Sequence, residues 1–207
     1  MLQPPMENPS AVVFDLGNVV VGWDPFGPLA DRLSRPEWEE FTEAADFFGL
    51  NRLADAGMPV AEVSAIAGGK NPHYGDLVRE YFHSFDKALT GPIPGTAGII
   101  EDLHAEGVRL LGLTNWSAET FDCAPVAAPV INRMEAVMVS GKEGVAKPDP
   151  EIFRRLVSTY ALQPQATVFI DDSVSNVEAA QSLGLVALQF VGADQLRQDL
   201  NQLGLLN

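Results

Sequence analysis

The stretch Val12-Val13-Phe14-Asp15, followed by Leu16-Gly17-Asn18, decides the reading of this chain. It reads as a buried strand that ends by delivering a carboxylate to the rim of a sheet. The run Ala11–Asp15 has three companions of the same character: Arg109–Thr114, Glu135–Val139 and Thr167–Asp171. A fifth, Leu185–Phe190, follows Gly184. Helical patterns lie between them. Thr96–Glu106 ends at Gly107, and Val174–Leu183 ends at Gly184, both in the position of a C′ glycine. Pro150–Tyr160 starts behind Asp149 as N-cap, with Pro150 at the first helical position. Strand, helix, strand in this order predicts an α/β fold, a doubly wound parallel sheet with right-handed crossovers.

The rhythm breaks between Trp23 and Leu89. That segment shows no clear strand, only helical stretches such as Pro36–Phe48 and Asp76–Leu89, separated by the turn-rich Ala67–Pro72. The sheet pattern resumes after Thr90–Gly95. The expected organisation is an α/β core made of residues 1–22 and 90–207, with residues 23–89 forming a helical cap inserted after the first strand and seated over the carboxyl rim of the sheet.

With 207 residues, 46% of them hydrophobic, the chain can bury about 70% of its unfolded surface, enough for one full core and a small appendage. The net charge of −15, from 28 acidic and 13 basic residues, repels phosphate backbones and argues against nucleic acid as a partner. An anionic substrate would have to be met by local devices: a metal, a lysine or helix N-termini. No run of 18 apolar residues is present, so no membrane span is expected. Met1–Pro9 has neither a basic start nor an apolar segment, and reads as a Pro-rich lead-in rather than a signal peptide. The single Cys123 cannot form an internal disulfide; it reads as structural, and a cytoplasmic setting is expected.

Ligands of open α/β sheets bind at the carboxyl ends of the strands. Three of the expected strands end there in Asp15, in Thr114-Asn115 and in Asp171-Asp172, and Lys147 lies in the loop before the helix that Asp149 opens. Each residue alone has a structural reading: a turn or N-cap for the aspartates, a solvated surface position for the lysine. Together they form a coherent set. Converging carboxylates repel one another unless a cation sits among them, and oxygen ligands of this kind suit Mg²⁺. Lys147 adds a second positive charge. The Thr114 hydroxyl and backbone N–H groups near Asn18 can donate to phosphoryl oxygens, leaving Asp15 as an in-line nucleophile.

The order Asp15-Leu16-Gly17-Asn18-Val19, Leu113-Thr114-Asn115-Trp116, Lys147-Pro148-Asp149-Pro150 and Val168-Phe169-Ile170-Asp171-Asp172 resembles the four motifs of the haloacid dehalogenase-like (HAD-like) hydrolases, from Val12 to about Phe190. The insertion sits where the helical-cap subgroup carries its cap. Asp-Leu-Gly-Asn is similar to bacterial glucose-1-phosphate phosphatases, and Thr-Asn-Trp to the phosphatase domain of soluble epoxide hydrolases. The resemblance implies a Rossmann-like core and hydrolysis of a small phosphorylated metabolite. Asp15 would be nucleophile and metal ligand. Gly17 would offer the metal its carbonyl. Asn18, Thr114 and Asn115 would bind the phosphoryl group or orient the nucleophile, and Lys147 would stabilise developing charge. Asp172 would be the direct Mg²⁺ ligand, with Asp171 binding directly or through water. Asn176 stands either behind these ligands or simply in a helix's first turn.

One position departs from the pattern. Most phosphatases of the family carry a second Asp where this chain has Gly17, and that Asp protonates the leaving group and later activates water, help worth about 10² to 10⁴ in rate. Its absence points to esters with good leaving groups, such as sugar 1-phosphates, or to a substitute: Asp24, His73 or His83. It also fits two alternatives, a 2-haloacid dehalogenase, whose halide needs no proton, and a non-catalytic HAD-like binding protein. Substrate choice is expected in the cap, where Trp23, Trp38, Phe47, Phe48, His73 and Tyr74 are the aromatic and imidazole candidates.

Overall fold

β1 (Ala11–Phe14) is wholly buried, because the sheet it centres is covered on both faces. The computed structural model describes residues 9–206, and all of the expected lead-in Met1–Pro9 except Pro9 lies outside them. After β1 come β2 (Val21–Trp23), then α1 (Arg35–Ala45), α2 (Phe47–Asp55), α3 (Val60–Lys70) and α4 (Pro72–His83). β3 (Leu89–Pro92), α5 (Thr96–Ala105), β4 (Arg109–Thr114) and the short α6 (Ala124–Ala127) follow. The chain then forms β5 (Ala136–Val139), the short α7 (Ser140–Glu143), α8 (Pro150–Thr159), β6 (Thr167–Asp171), α9 (Val174–Ser182), β7 (Val186–Gln189) and α10 (Ala193–Gln202).

The main sheet is parallel, in the order β5-β4-β1-β6-β7. The chain winds outward from β1 through β4 and β5, then returns to add β6 and β7 on the other side. Alternation along β1 splits its side chains between two layers. Val12 and Phe14 join Ile99, Ile100 and Leu103 of α5 and Leu196 and Leu200 of α10. Ala11 and Val13 join Ile152, Phe153 and Leu156 of α8 and Ala180 of α9. This is the doubly wound architecture read from the strand and helix pattern. The observed strands lie within a residue of the expected ones at each end. Gly107 and Gly184 take the left-handed conformation after α5 and α9, as C′ glycines do.

The insertion differs from its sequence reading in three respects. β2 and β3 pair antiparallel, Val21 opposite Pro92 and Gly22 opposite Gly91, and tie its two ends into a ribbon. Each strand is too short to show a period. Second, two distinct helices, α1 and α2, follow one another with Asp46 between them in a left-handed conformation, its side chain accepting from the Gly49 N–H at 3.3 Å. Third, Gly68 and Gly69 lie inside α3 and not in a turn. The reason is packing between α3 and α4: a Cβ on Gly75 would stand 2.9 Å from both the Gly68 Cα and the Ser64 carbonyl oxygen. Small residues set that helix contact and override the weak helix propensity of glycine.

Most of the candidate aromatics build the interior of the insertion. Phe47 lies edge-on to Trp38 at 5.0 Å and to Tyr81 at 4.7 Å, ring centre to ring centre. Among the described residues, no helix is long and apolar enough to cross a membrane.

Candidate active site

The Asp15 N–H donates to the Ile170 carbonyl at 2.8 Å, so the sheet holds the backbone of Asp15 just past β1. Its carboxylate accepts from the Leu16 N–H at 2.7 Å and stands 2.9 Å from the Lys147 ammonium, both at Oδ1. The chain then reverses into β2. Val20 and Val21 both donate to the Leu16 carbonyl, at 2.8 and 2.9 Å, and Asn18 adopts φ 57°. The Asn18 N–H donates to the Val21 carbonyl at 2.8 Å, and its Oδ1 accepts from Trp23 at 3.2 Å. Asn18 therefore lines the cleft with its backbone N–H and side-chain Oδ1 engaged in the turn.

Lys147 is buried at the centre of the rim, and all three of its donors are used. Nζ donates to the Leu113 carbonyl at 2.8 Å and to Asp171 Oδ2 at 2.6 Å, and pairs with Asp15. Burial opposes its charge, but Asp15 and Asp171 outweigh that and hold the ammonium above its ordinary range. Asn115 fixes the lysine loop from β4: its Nδ2 donates to the Lys147 carbonyl and its Oδ1 accepts the Lys147 N–H, each at 2.8 Å. Asn115, expected to bind the phosphoryl group or to orient the nucleophile, thus has its side-chain amide engaged in positioning the lysine.

Asp171 is fully buried and heavily bonded. Oδ1 accepts from the Ser173 N–H at 2.9 Å, and Asn176 Nδ2 reaches both carboxylate oxygens at 3.0 Å. Asn176 therefore stands behind Asp171. Asp172, by contrast, is exposed and lines the cleft. Oxygens of Asp15, Asp171 and Asp172 lie within 4.8 Å of one another. Burial pushes Asp15 up to about 7, against the pull of Lys147 and with the push of Asp171 and Asp172. Asp172 is also raised, by burial and then by Asp171. Three carboxylates against one ammonium leave a surplus of two negative charges, which is what a divalent cation neutralises. Thr114 completes the rim: it is buried, and its Oγ1 has no hydrogen-bond partner. A buried unpaired hydroxyl is costly, and a ligand oxygen reaching this strand end would satisfy it.

The rim opens into a cleft of about 210 Å³ that residues of α2 and the segment after α4 help to line. Asp15, Gly17, Asn115 and Asp172 form its core side; Trp116 and Ser117 continue the wall, and Asn51, Asp55, Phe82 and Phe85 come from the insertion. Of the candidate aromatics, Trp23 reaches this cleft. The three substitutes considered for the missing acid do not line it. Asp24 accepts from the Phe26 N–H at 3.0 Å and stabilises a turn. His73 and His83 are exposed and border other surface hollows.

Asp55 is the titratable cleft residue that sequence reasoning missed. A signal was present: it ends α2, and a negative side chain at a helix C-terminus opposes the helix dipole. Its carbonyl accepts from the Ser140 hydroxyl, which also accepts the Trp116 N–H at 3.0 Å, so this end of α2 is tied directly to the core. Burial pushes the Asp55 carboxyl up to about 7; the Ser117 amide lowers it and Asp15 raises it.

A family model described as a hydrolase, haloacid dehalogenase-like hydrolase, matches residues 9–184. The sesquiterpene phosphatase astK of Aspergillus oryzae is 24% identical over 205 residues, covering 93% of this chain and 95% of that protein. Acyl-CoA dehydrogenase family member 10 of Mus musculus is 27% identical over 196 residues, covering 84% of this chain but only 17% of that much longer protein. Among solved structures, a HAD family enzyme of Bacteroides thetaiotaomicron, bt-2542, in complex with magnesium and inorganic phosphate, shares the fold with a TM-score of 0.68. It is 21% identical, over 87% of this chain and 93% of that one.

Proposed function

The chain belongs to the haloacid dehalogenase-like hydrolases, and from that premise we propose that it is a Mg²⁺-dependent phosphomonoester hydrolase, acting on a small phosphorylated metabolite through an aspartyl-phosphate on Asp15. The observation that carries this reading is the mismatch at the rim: a surplus of negative charge beside a buried Thr114 hydroxyl without a partner. The first favours a cation and the second favours an acceptor oxygen, and a phosphoryl group with its metal brings both.

Asp15 and Asp172, with the Gly17 carbonyl, would hold the ion, and Asp171 would keep Lys147 in place. When bound, Mg²⁺ supplies charge neutralisation for the phosphoryl oxygens. Lys147 holds the Asp15 oxygen that it touches, and Thr114 donates to a phosphoryl oxygen. The free Asp15 oxygen attacks phosphorus, the ester oxygen departs, and water then hydrolyses the acyl phosphate. Gly17 favours sugar 1-phosphates, whose anomeric oxygen leaves with less protonation. The wall of Trp23, Phe82, Phe85 and Trp116 suits an apolar leaving group, of the kind that the name of the sesquiterpene phosphatase implies for that relative.

The test is phosphate release from glucose 1-phosphate, farnesyl monophosphate and 4-nitrophenyl phosphate, with Mg²⁺ and with EDTA. Turnover is expected to need Mg²⁺ and to vanish in Asp15→Asn. Thr114→Val is expected to weaken inorganic phosphate binding about tenfold, the worth of one hydrogen bond, without lowering the melting temperature. EDTA-insensitive release of chloride from 2-chloropropionate would make the chain a dehalogenase. Phosphate binding without any turnover would make it a binding protein.

A further inference from the structure

The cleft has a vacancy in its chemistry at one point and an unassigned carboxyl at another. Gly17 removes the acid that the β1–β2 loop would otherwise carry, and the space is open: a Cβ built there meets nothing within 4 Å. The same cleft receives Asp55 from the far side, at the end of α2. Asn51 Nδ2 donates to Asp55 Oδ2 at 3.0 Å, and among the described residues no cation pairs with this carboxyl. Its position does not depend on the insertion alone, because the Ser140 hydroxyl holds the Asp55 carbonyl against the core. We propose that Asp55 is the general acid and base of the reaction, supplying from the insertion the carboxyl that Gly17 omits from the loop.

This inference rests on the phosphatase reading above. As the bond from Asp15 to phosphorus forms and the bond to the ester oxygen breaks, protonated Asp55 gives its proton to that oxygen, which departs as an alcohol. Water then attacks the phosphorus of the acyl phosphate. Asp55, now a carboxylate, takes the proton from that water; inorganic phosphate leaves, and both aspartates return to their starting forms. A carboxyl raised to about 7 holds the proton for the first step and can accept one in the second. The substrate range then widens beyond good leaving groups, and chemistry is tied to the insertion being seated on Ser140.

The experiment compares Asp55→Asn with wild type on 4-nitrophenyl phosphate and phenyl phosphate, which share a shape and differ in how much protonation the leaving oxygen needs. The readout is kcat/KM, which reports steps up to departure of the leaving group. On phenyl phosphate the variant is expected to lose about 10² to 10⁴, and on 4-nitrophenyl phosphate only a few-fold. With the base gone, the variant is also expected to release 4-nitrophenol in a burst and accumulate phosphoenzyme detectable by mass. Adding Gly17→Asp to Asp55→Asn is expected to recover at least tenfold on phenyl phosphate, since the open space accepts a side chain. Equal losses on both esters, or none, in a variant that melts no lower than wild type, would overturn the role of Asp55 and leave the phosphatase reading intact. A wild type that hydrolyses neither ester would defeat the phosphatase reading, and this inference with it.

Discussion

The two walls of the cleft hold their carboxylates in opposite ways. On the sheet rim, Asp171 is buried with Lys147, Ser173 and Asn176 all bonded to it, and Asp15 shares the same ammonium. On the insertion, Asp55 has one side-chain partner, Asn51, and no cation among the described residues. The rim is a network in which each charge depends on its neighbours; the roof carries one carboxyl whose proton burial holds more tightly than in an ordinary carboxyl. A rim of that kind fixes geometry and charge, and a roof of that kind can exchange a proton. The division suits a reaction that needs a positioned nucleophile and a mobile proton.

The largest effect that would break the contrast comes from the rim. Lys147→Met keeps the bulk of the side chain and removes the charge, leaving Asp15 and Asp171 buried together without compensation. Breaking a buried pair in this way costs about 3–5 kcal/mol, and turnover is expected to disappear with it. Urea denaturation and phosphate release measure the two losses. A Lys147→Met protein as stable as wild type would mean that the rim is not the interdependent network described above.

The smaller effect comes from the roof and has the opposite sign. The Asp55 carboxyl is raised from 3.8 to about 7 on folding, so the folded chain binds its proton more tightly than the unfolded chain does. For an acid raised in this way, stability falls as pH rises through the window from 3.8 to about 7, and the full cost stands above it. Asp55→Asn has no such group to ionise. The groups facing Asp55 are Asp15 across the cleft, the Ser117 amide and Tyr81 of α4, which itself responds to Asp55. The gain is expected as a rise of several degrees in Tm at pH 8, where the wild-type carboxyl is ionised, and as nearly nothing at pH 4. Calorimetry at both values checks it; equal Tm differences at the two pH values would contradict it.

The same contrast explains what the sequence disclosed. A parallel sheet collects its strand ends on one rim, so Asp15, Thr114 and the Asp171-Asp172 pair were legible as neighbours once the strands were recognised. The bonding of Asn115 to the Lys147 backbone was not, because it depends on how two loops meet. In the insertion, Gly68-Gly69 signals a turn by local preference, and only the contact with Gly75 shows why a helix runs through it. Asp55 has no motif around it. Its one local trace is an acid placed against the helix dipole, a signal too common to single it out without the cleft it enters.

The most direct test of the central claim is to find the phosphoryl group on the enzyme. Wild type and Asp55→Asn, each with Mg²⁺ and 4-nitrophenyl phosphate, are quenched in acid during turnover, and the peptides are mapped by mass. The expected result is phosphate on Asp15, scarce in wild type and abundant in Asp55→Asn. Turnover with no phosphate on Asp15, or with phosphate on another residue, would contradict the assignment of this rim.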